Sequence, residues 1–167
     1  MIEYRNSVRL LFDLTVFTAV QLIVGNYVGD CYTYIGAFIC MPWRRLDFVQ
    51  LIVAVIIGLV IDVTCLTTTL HTLSLVLVVF LKHEILLFVL PKSINTLSIL
   101  IRDLGVLFVL LLDLILCSTY HVILFFVDGG VISLSMFYAC VQCILISTLV
   151  VFLYQLSIQV FTVCCRR

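Results

Sequence analysis

Long apolar stretches separated by brief polar intervals organise the chain. The first runs from Val8 to Val28 and is interrupted by Asp13 and Gln21. The second is short, Cys31 to Met41, and ends at Pro42-Trp43. The third covers Phe48 to about Cys65, and the fourth about Leu66 to Leu81. A mixed stretch from Lys82 to Arg102 precedes a fifth run, Leu104 to Val127, and a sixth, Ile132 to Val163. Apolar runs of this length predict helices, and no repeat or Pro/Ser-rich linker divides them, so a single domain is expected. Two segments are awkward. Cys31 to Met41 is about 16 Å long as a helix, about half a bilayer. It either extends to about Leu46 or is a half-helix held by its neighbours. The fourth run is also short before Lys82-His83-Glu84, which leaves Ile85 to Leu100 to lie along a membrane surface, broken at Pro91-Lys92-Ser93.

Composition sets the solvent. Of the 167 residues, 65% are hydrophobic and 11% charged, with a mean hydropathy of +1.35. A soluble domain is about 25% charged, and nine basic plus nine acidic residues cannot coat a chain of this size. The expected class is therefore an all-α polytopic membrane protein. At roughly 20 residues per spanning helix, six crossings fill most of the length, the second and fourth being short. The lipid bilayer is then the first partner. A net charge of zero argues against a nucleic-acid partner, because phosphate binding needs a basic face. The first apolar stretch continues through Val24 and Val28 without a small-x-small cleavage site in the usual place, so it is expected to remain as a helix.

The basic residues predict the topology, since Lys and Arg of short loops stay cytoplasmic. With the N-terminus inside and six crossings, Arg5, Arg9, Arg44, Arg45, Lys82, Lys92, Arg102, Arg166 and Arg167 all fall on one side. The loops around Asp30, Thr67 and Asp128 contain none, and both termini are cytoplasmic. Trp43 on one side, and Tyr27, Tyr32 and Tyr34 on the other, fit interfacial aromatics.

Polar groups within the apolar runs each need a reason, because an ionisable residue at mid-bilayer costs about 2.5–3.5 kcal/mol. Asp13, Phe17 and Gln21 share one helix face. Arg9 precedes Asp13 by one turn and is the expected partner, with Gln21 bonding a neighbouring helix. Gly58 and Asp62 also share a face, so the glycine would admit another backbone close to the carboxylate. Asp62 is expected either to cap the fourth helix and bond the hydroxyls of the Thr-rich turn, or to pair with His71 and pin the hairpin. Asp113 is the deepest acid. Cys117 and His121 follow at one and two turns, and Arg102 precedes it on a similar face. An interhelical hydrogen bond, to Gln21 or Gln155, is the expected use of this carboxylate, with a relay or solute-binding role as the alternative. Gly25-x-x-x-Gly29 has the spacing of close helix contacts, a common and weak signal.

Catalytic motifs are missing. No H-E-x-x-H, G-x-S-x-G or phosphate-cradling loop occurs, and His71, His83 and His121 are too scattered for a metal site. Cys140-x-x-Cys143 sits in one apolar helix without a second pair, where thiols pack as small hydrophobes. A non-enzymatic protein without cofactor or metal is therefore expected.

Several stretches carry a family likeness. They run from Gln21 through Tyr32-Thr33-Tyr34-Ile35 to Pro42, then Arg44-Arg45, Gly58-Leu59-Val60-Ile61-Asp62, the Thr-rich turn with His71, Phe80-Leu81-Lys82 and Pro91. Tyr120-His121-x-x-Leu124-Phe125-Phe126 and Leu153-Tyr154-Gln155-Leu156 follow. In these the chain resembles the MreD family of bacterial rod-shape-determining membrane proteins. It departs from the pattern at Thr69-Leu70, where a glycine or other small residue is expected before His71. The resemblance implies a multi-pass protein of the bacterial inner (cytoplasmic) membrane, acting as a scaffold of the lateral wall-elongation complex. Its implied partner is an MreC-like protein and, through it, MreB, RodA and a penicillin-binding transpeptidase. The MreD family also resembles, at fold level, the substrate-binding subunits of energy-coupling-factor vitamin transporters, which supplies the alternative of a small-solute transport subunit.

The charge split makes a direct prediction. A reporter fused after Arg45 reads cytoplasmic and one fused after Thr68 reads periplasmic; an external reading at Arg45 replaces six crossings with a re-entrant second segment.

Overall fold

The computed structural model describes residues 12–21, 23, 32–40, 48–89, 105–128 and 134–164. All its regular structure among these residues is α-helical, with no strand. The helices are α1 (12–21), α2 (Ile35–Cys40), α3 (Phe48–Cys65), α4 (Leu70–Val89), α5 (Val106–Asp128) and α6 (Leu134–Cys164). Two stretches, Val106–Phe125 in α5 and Leu134–Val160 in α6, are long and apolar enough to cross a membrane. Gln50–Cys65 in α3 is a shorter apolar helix.

The third, fifth and sixth runs fold close to their expected bounds. The second contributes only a half-helix. α2 has 6 residues, about 9 Å of axial rise, and Ile35, Gly36, Ala37, Phe38 and Ile39 are all buried. An extension toward Leu46 lies outside the described residues, as do Pro42, Trp43, Arg44 and Arg45. α2 is held as a wedge among its neighbours. At Gly36 an added Cβ would lie 2.2 Å from the Phe17 ring, so the glycine lets α1 and α2 close on each other.

The fourth run departs most from its expectation. The helix starts four residues late, at Leu70, and continues past Leu81 to Val89. Lys82-His83-Glu84 therefore does not end it. Lys82 is buried within α4, where its Nζ donates to the Phe38 carbonyl at 3.1 Å. A lysine whose ammonium finds a carbonyl inside has no need to reach a loop. Ile85 to Val89 is likewise helical, and the rest of the expected surface segment, with Pro91, Lys92 and Arg102, lies outside the described residues.

Side-chain pairings fix the helix directions. At one level, Gln21 of α1 meets Thr33, Tyr34 meets His71 of α4, and His71 meets Tyr120 of α5. At a second level, Tyr154 of α6 meets Asp13 of α1, Gln155 meets Asp113 of α5, and Lys82 of α4 meets α2 at Phe38. Consequently α1 and α5 run from the second level to the first, and α2 and α4 run back. Between the levels lies an apolar layer that includes Phe17, Phe38, Leu75, Val78, Leu116 and Val151.

α3 and α4 form an antiparallel hairpin whose closeness depends on Gly58. A Cβ there would sit 2.4 Å from the Thr72 Cα and 2.9 Å from its N. The obstacle is backbone, so only separation of the helices would make room. Gly58→Ala is expected to lower stability by about 2 kcal/mol, within the usual cost of overpacking and despite the better helix propensity of alanine. Thermal unfolding of the detergent-purified protein checks this.

Candidate functional site

The polar residues that cluster in the interior begin with the α3–α4 turn. α3 ends in a Schellman-type cap: the Thr67 N–H donates to the Asp62 carbonyl at 2.9 Å, with Leu66 left-handed at φ 57°. Thr69 is left-handed as well, at φ 58°. It belongs to the pair Thr69-Leu70, where a glycine or other small residue was expected. Its hydroxyl bonds the Thr68 carbonyl at 2.7 Å, away from the first turn of α4.

Asp62 supplies the cap that Thr69 does not. Its Oδ1 accepts the Thr67 hydroxyl at 2.7 Å and the His71 N–H at 2.9 Å. Its Oδ2 accepts the Thr72 hydroxyl at 2.6 Å and the Thr72 N–H at 3.0 Å. The backbone donors belong to the first turn of α4, where helices leave N–H groups unpaired and favour negative charge. Of the two expected uses of Asp62, capping is the one found. His71 contributes its main chain to the carboxylate, while its ring Nδ1 turns to other partners.

Those partners are two tyrosines. His71 Nδ1 lies 2.7 Å from the Tyr34 hydroxyl and 2.8 Å from the Tyr120 hydroxyl. The two hydroxyls also contact each other. Tyr32 covers the imidazole edge-on at a centroid distance of 4.6 Å. Tyr34, His71 and Tyr120 are all buried. Tyr34 is thus an interior residue and not the interfacial aromatic its position implied, because a histidine inside the fold receives its hydroxyl. Beside this node, Gln21 Oε1 accepts the backbone N–H and the hydroxyl of Thr33, the latter at 3.0 Å. Gln21 was expected to bond a neighbouring helix; its partner instead lies in the segment just before α2.

At the second level the Gln155 Nε2 donates to Asp113 Oδ1 at 3.0 Å, one of the two partners expected. Asp113 Oδ2 is buried without a hydrogen bond. The Tyr154 hydroxyl donates to Asp13 Oδ1 at 2.5 Å. Arg9, expected beside Asp13, lies outside the described residues, as does Arg102. His121 pairs through Nε2 with the Ser147 hydroxyl at 2.9 Å, linking α5 to α6. Cys140 and Cys143 are buried in α6, in keeping with a packing role.

Sequence reasoning missed Tyr34, Lys82, Tyr120 and Tyr154 as partners. Two carried a readable signal. Tyr120 stands two turns after Asp113, and Lys82 three turns after His71, each on the buried face of its helix. Chemically, the arrangement couples helices. Its hydroxyl–imidazole pair, Ser147 with His121, joins α6 to α5, and no group of three or more His, Cys, Asp or Glu able to hold a metal occurs among the described residues. No family model, no curated protein and no solved structure matches the chain.

The four bonds accepted by Asp62 generate a graded prediction. Asp62→Ala is expected to cost about 3 kcal/mol, combining a lost cap with stranded donors. Asp62→Asn is expected to cost about half as much, since its amide oxygen still accepts and its NH2 can donate to Thr72. Detergent melts and the amount of folded protein in the membrane check the order.

Proposed function

We propose that this chain is a non-enzymatic scaffold in the bacterial inner membrane, a member of the cell-wall elongation complex that binds an MreC-like single-span partner. In this reading six segments cross the bilayer, with α2 and its flanks as the second, and both termini are cytoplasmic. Its interior holds the helices in a fixed arrangement, and its outward surfaces meet lipid and partners. Through the MreC-like protein it positions MreB filaments, the RodA glycosyltransferase and a penicillin-binding transpeptidase.

The supporting observation is where the interior polar groups are spent. Gln21, Asp62, His71, Asp113 and Asp13 each bond a group on another part of the fold. A transport subunit would turn such groups toward a solute, whereas a scaffold uses them to fix its own shape. The MreD-like stretches supply the biological setting and the partner.

Depletion in a rod-shaped host is expected to give rounded cells and to release the MreC-like protein from the wall-synthesis complex. Persistence of rod shape, with tight vitamin binding by the purified protein, would move the assignment to the transport subunit.

A further inference from the structure

The second level of polar contacts contains one buried oxygen that no bond uses. Asp113 is fully buried in α5; its Oδ1 accepts the Gln155 amide of α6, and its Oδ2 has no hydrogen-bond partner. The groups around it come from four other helices. Lys82 of α4 acts on Asp113 electrostatically. Cys40, at the end of α2, lies in the field of Asp113, Lys82 and Asp13 and bonds the Gln155 side chain. Asp13 of α1 takes the hydroxyl of Tyr154, the neighbour of Gln155 on α6.

Lys82 brings the positive charge to this cluster, yet its ammonium is bonded elsewhere. Nζ donates to the Phe38 carbonyl of α2 at 3.1 Å and not to Asp113. An ionised Asp113 would draw it away. In an apolar interior an ammonium pairs with a carboxylate in preference to a neutral carbonyl, and a buried carboxylate held by a single amide is poorly compensated. A carboxylic acid exerts no such pull. The bond from Lys82 to a carbonyl is thus the arrangement that goes with a neutral Asp113.

We infer that Asp113 is a proton-binding site, and that Lys82 turns from the Phe38 carbonyl to Asp113 Oδ2 when the proton leaves. The acid O–H bond breaks, its electron pair stays on Oδ2, the proton passes to water, and the ammonium neutralises the carboxylate that remains. A flexible four-carbon stem lets lysine change acceptors without moving its helix. The last turn of α2 then loses a donor. A helix of 6 residues closes few bonds of its own, so the end of α2 is the part that loosens. The inference rests on this cluster and is independent of the wall-elongation reading.

Infrared difference spectra of the detergent-purified chain, taken between acid and alkaline pH, test the proton. A carbonyl stretch of a protonated carboxyl is expected to vanish as the pH rises. It is expected to be missing throughout in Asp113→Asn, which keeps an oxygen for Gln155 and puts an NH2 in place of the acid O–H. Lys82→Met removes the counter-charge and is expected to move the loss of this band upward by about one pH unit, a tenfold change in proton affinity. Hydrogen exchange of the α2 amides tests the lysine. At alkaline pH they are expected to exchange severalfold faster in the wild type than in Asp113→Asn, and at acid pH equally. The inference is overturned if no carboxyl band depends on Asp113, if Lys82→Met leaves the titration unmoved, or if α2 exchanges alike in the two proteins at alkaline pH. The first and third readouts compare the wild type with Asp113→Asn, so they decide the matter even where Lys82→Met does not fold. None of these outcomes alters the depletion phenotype on which the wall-elongation assignment stands.

Discussion

The carboxylate of Asp62 holds the α3–α4 hairpin together, and the other features of that hairpin presuppose it. A helix start leaves backbone N–H groups without partners. Water caps them at a surface, but lipid and packed helices cannot. Here the acceptor comes from the preceding helix, so a bond that terminates α4 also fixes α3 against it. Gly58 lies one turn before Asp62 and brings the two backbones close enough at Thr72 for both carboxylate oxygens to be used. The turn meets this geometry at a cost: Leu66 and Thr69 are both left-handed, a conformation that L-residues with a Cβ adopt at roughly 1–2 kcal/mol each. The bonds to Asp62 offset that strain.

The same hairpin delivers His71 to the next set of contacts. Because its main chain is anchored to Asp62, its ring is presented inward to Tyr34 and Tyr120. One histidine therefore joins α3, α4, α5 and the residue preceding α2. At the other level Asp113–Gln155 and Asp13–Tyr154 tie α6 to α5 and α1. Apolar packing between the levels adds dispersion contacts but little register, since Leu and Val faces slide at small cost. The polar bonds set the register. In a bilayer, where no hydrophobic effect drives one helix against another, packing and polar bonds of this kind carry the association.

Local relations were legible in the sequence, and most distant ones were not. Helical spacing placed Gly58 with Asp62, and Asp113 with His121, because residues one or two turns apart share a face whatever the tertiary structure. The α3 limits were readable because both ends of its apolar run are marked by polar residues. Gln155 could be named beside Gln21 as a partner for Asp113, since few polar side chains occur in the apolar runs. The node of Tyr34, His71 and Tyr120 spans 86 positions, and no periodicity connects them. Tyrosine near a helix end reads as an interfacial residue until a buried acceptor is known. The α3–α4 turn was legible as a Thr-rich turn capped by Asp62, and Thr69-Leu70 as the place where a small residue was expected; the left-handed backbone at Leu66 and Thr69 was not.

Lys82 is a basic residue that the fold uses inside a helix rather than in a loop. Counted as a loop residue, it belonged to the basic side of the proposed topology. It is instead buried in α4, bonded to the Phe38 carbonyl, so the charge asymmetry rests on the remaining bases. Lys82 lies in the later half of α4, at the level where Tyr154 meets Asp13 and Gln155 meets Asp113. At the His71 level the carboxylate among the described residues is Asp62, and its bonds go to the turn and the start of α4. The two levels therefore differ in kind: a lysine and two carboxylates hold one, and a carboxylate with an imidazole and two phenols holds the other.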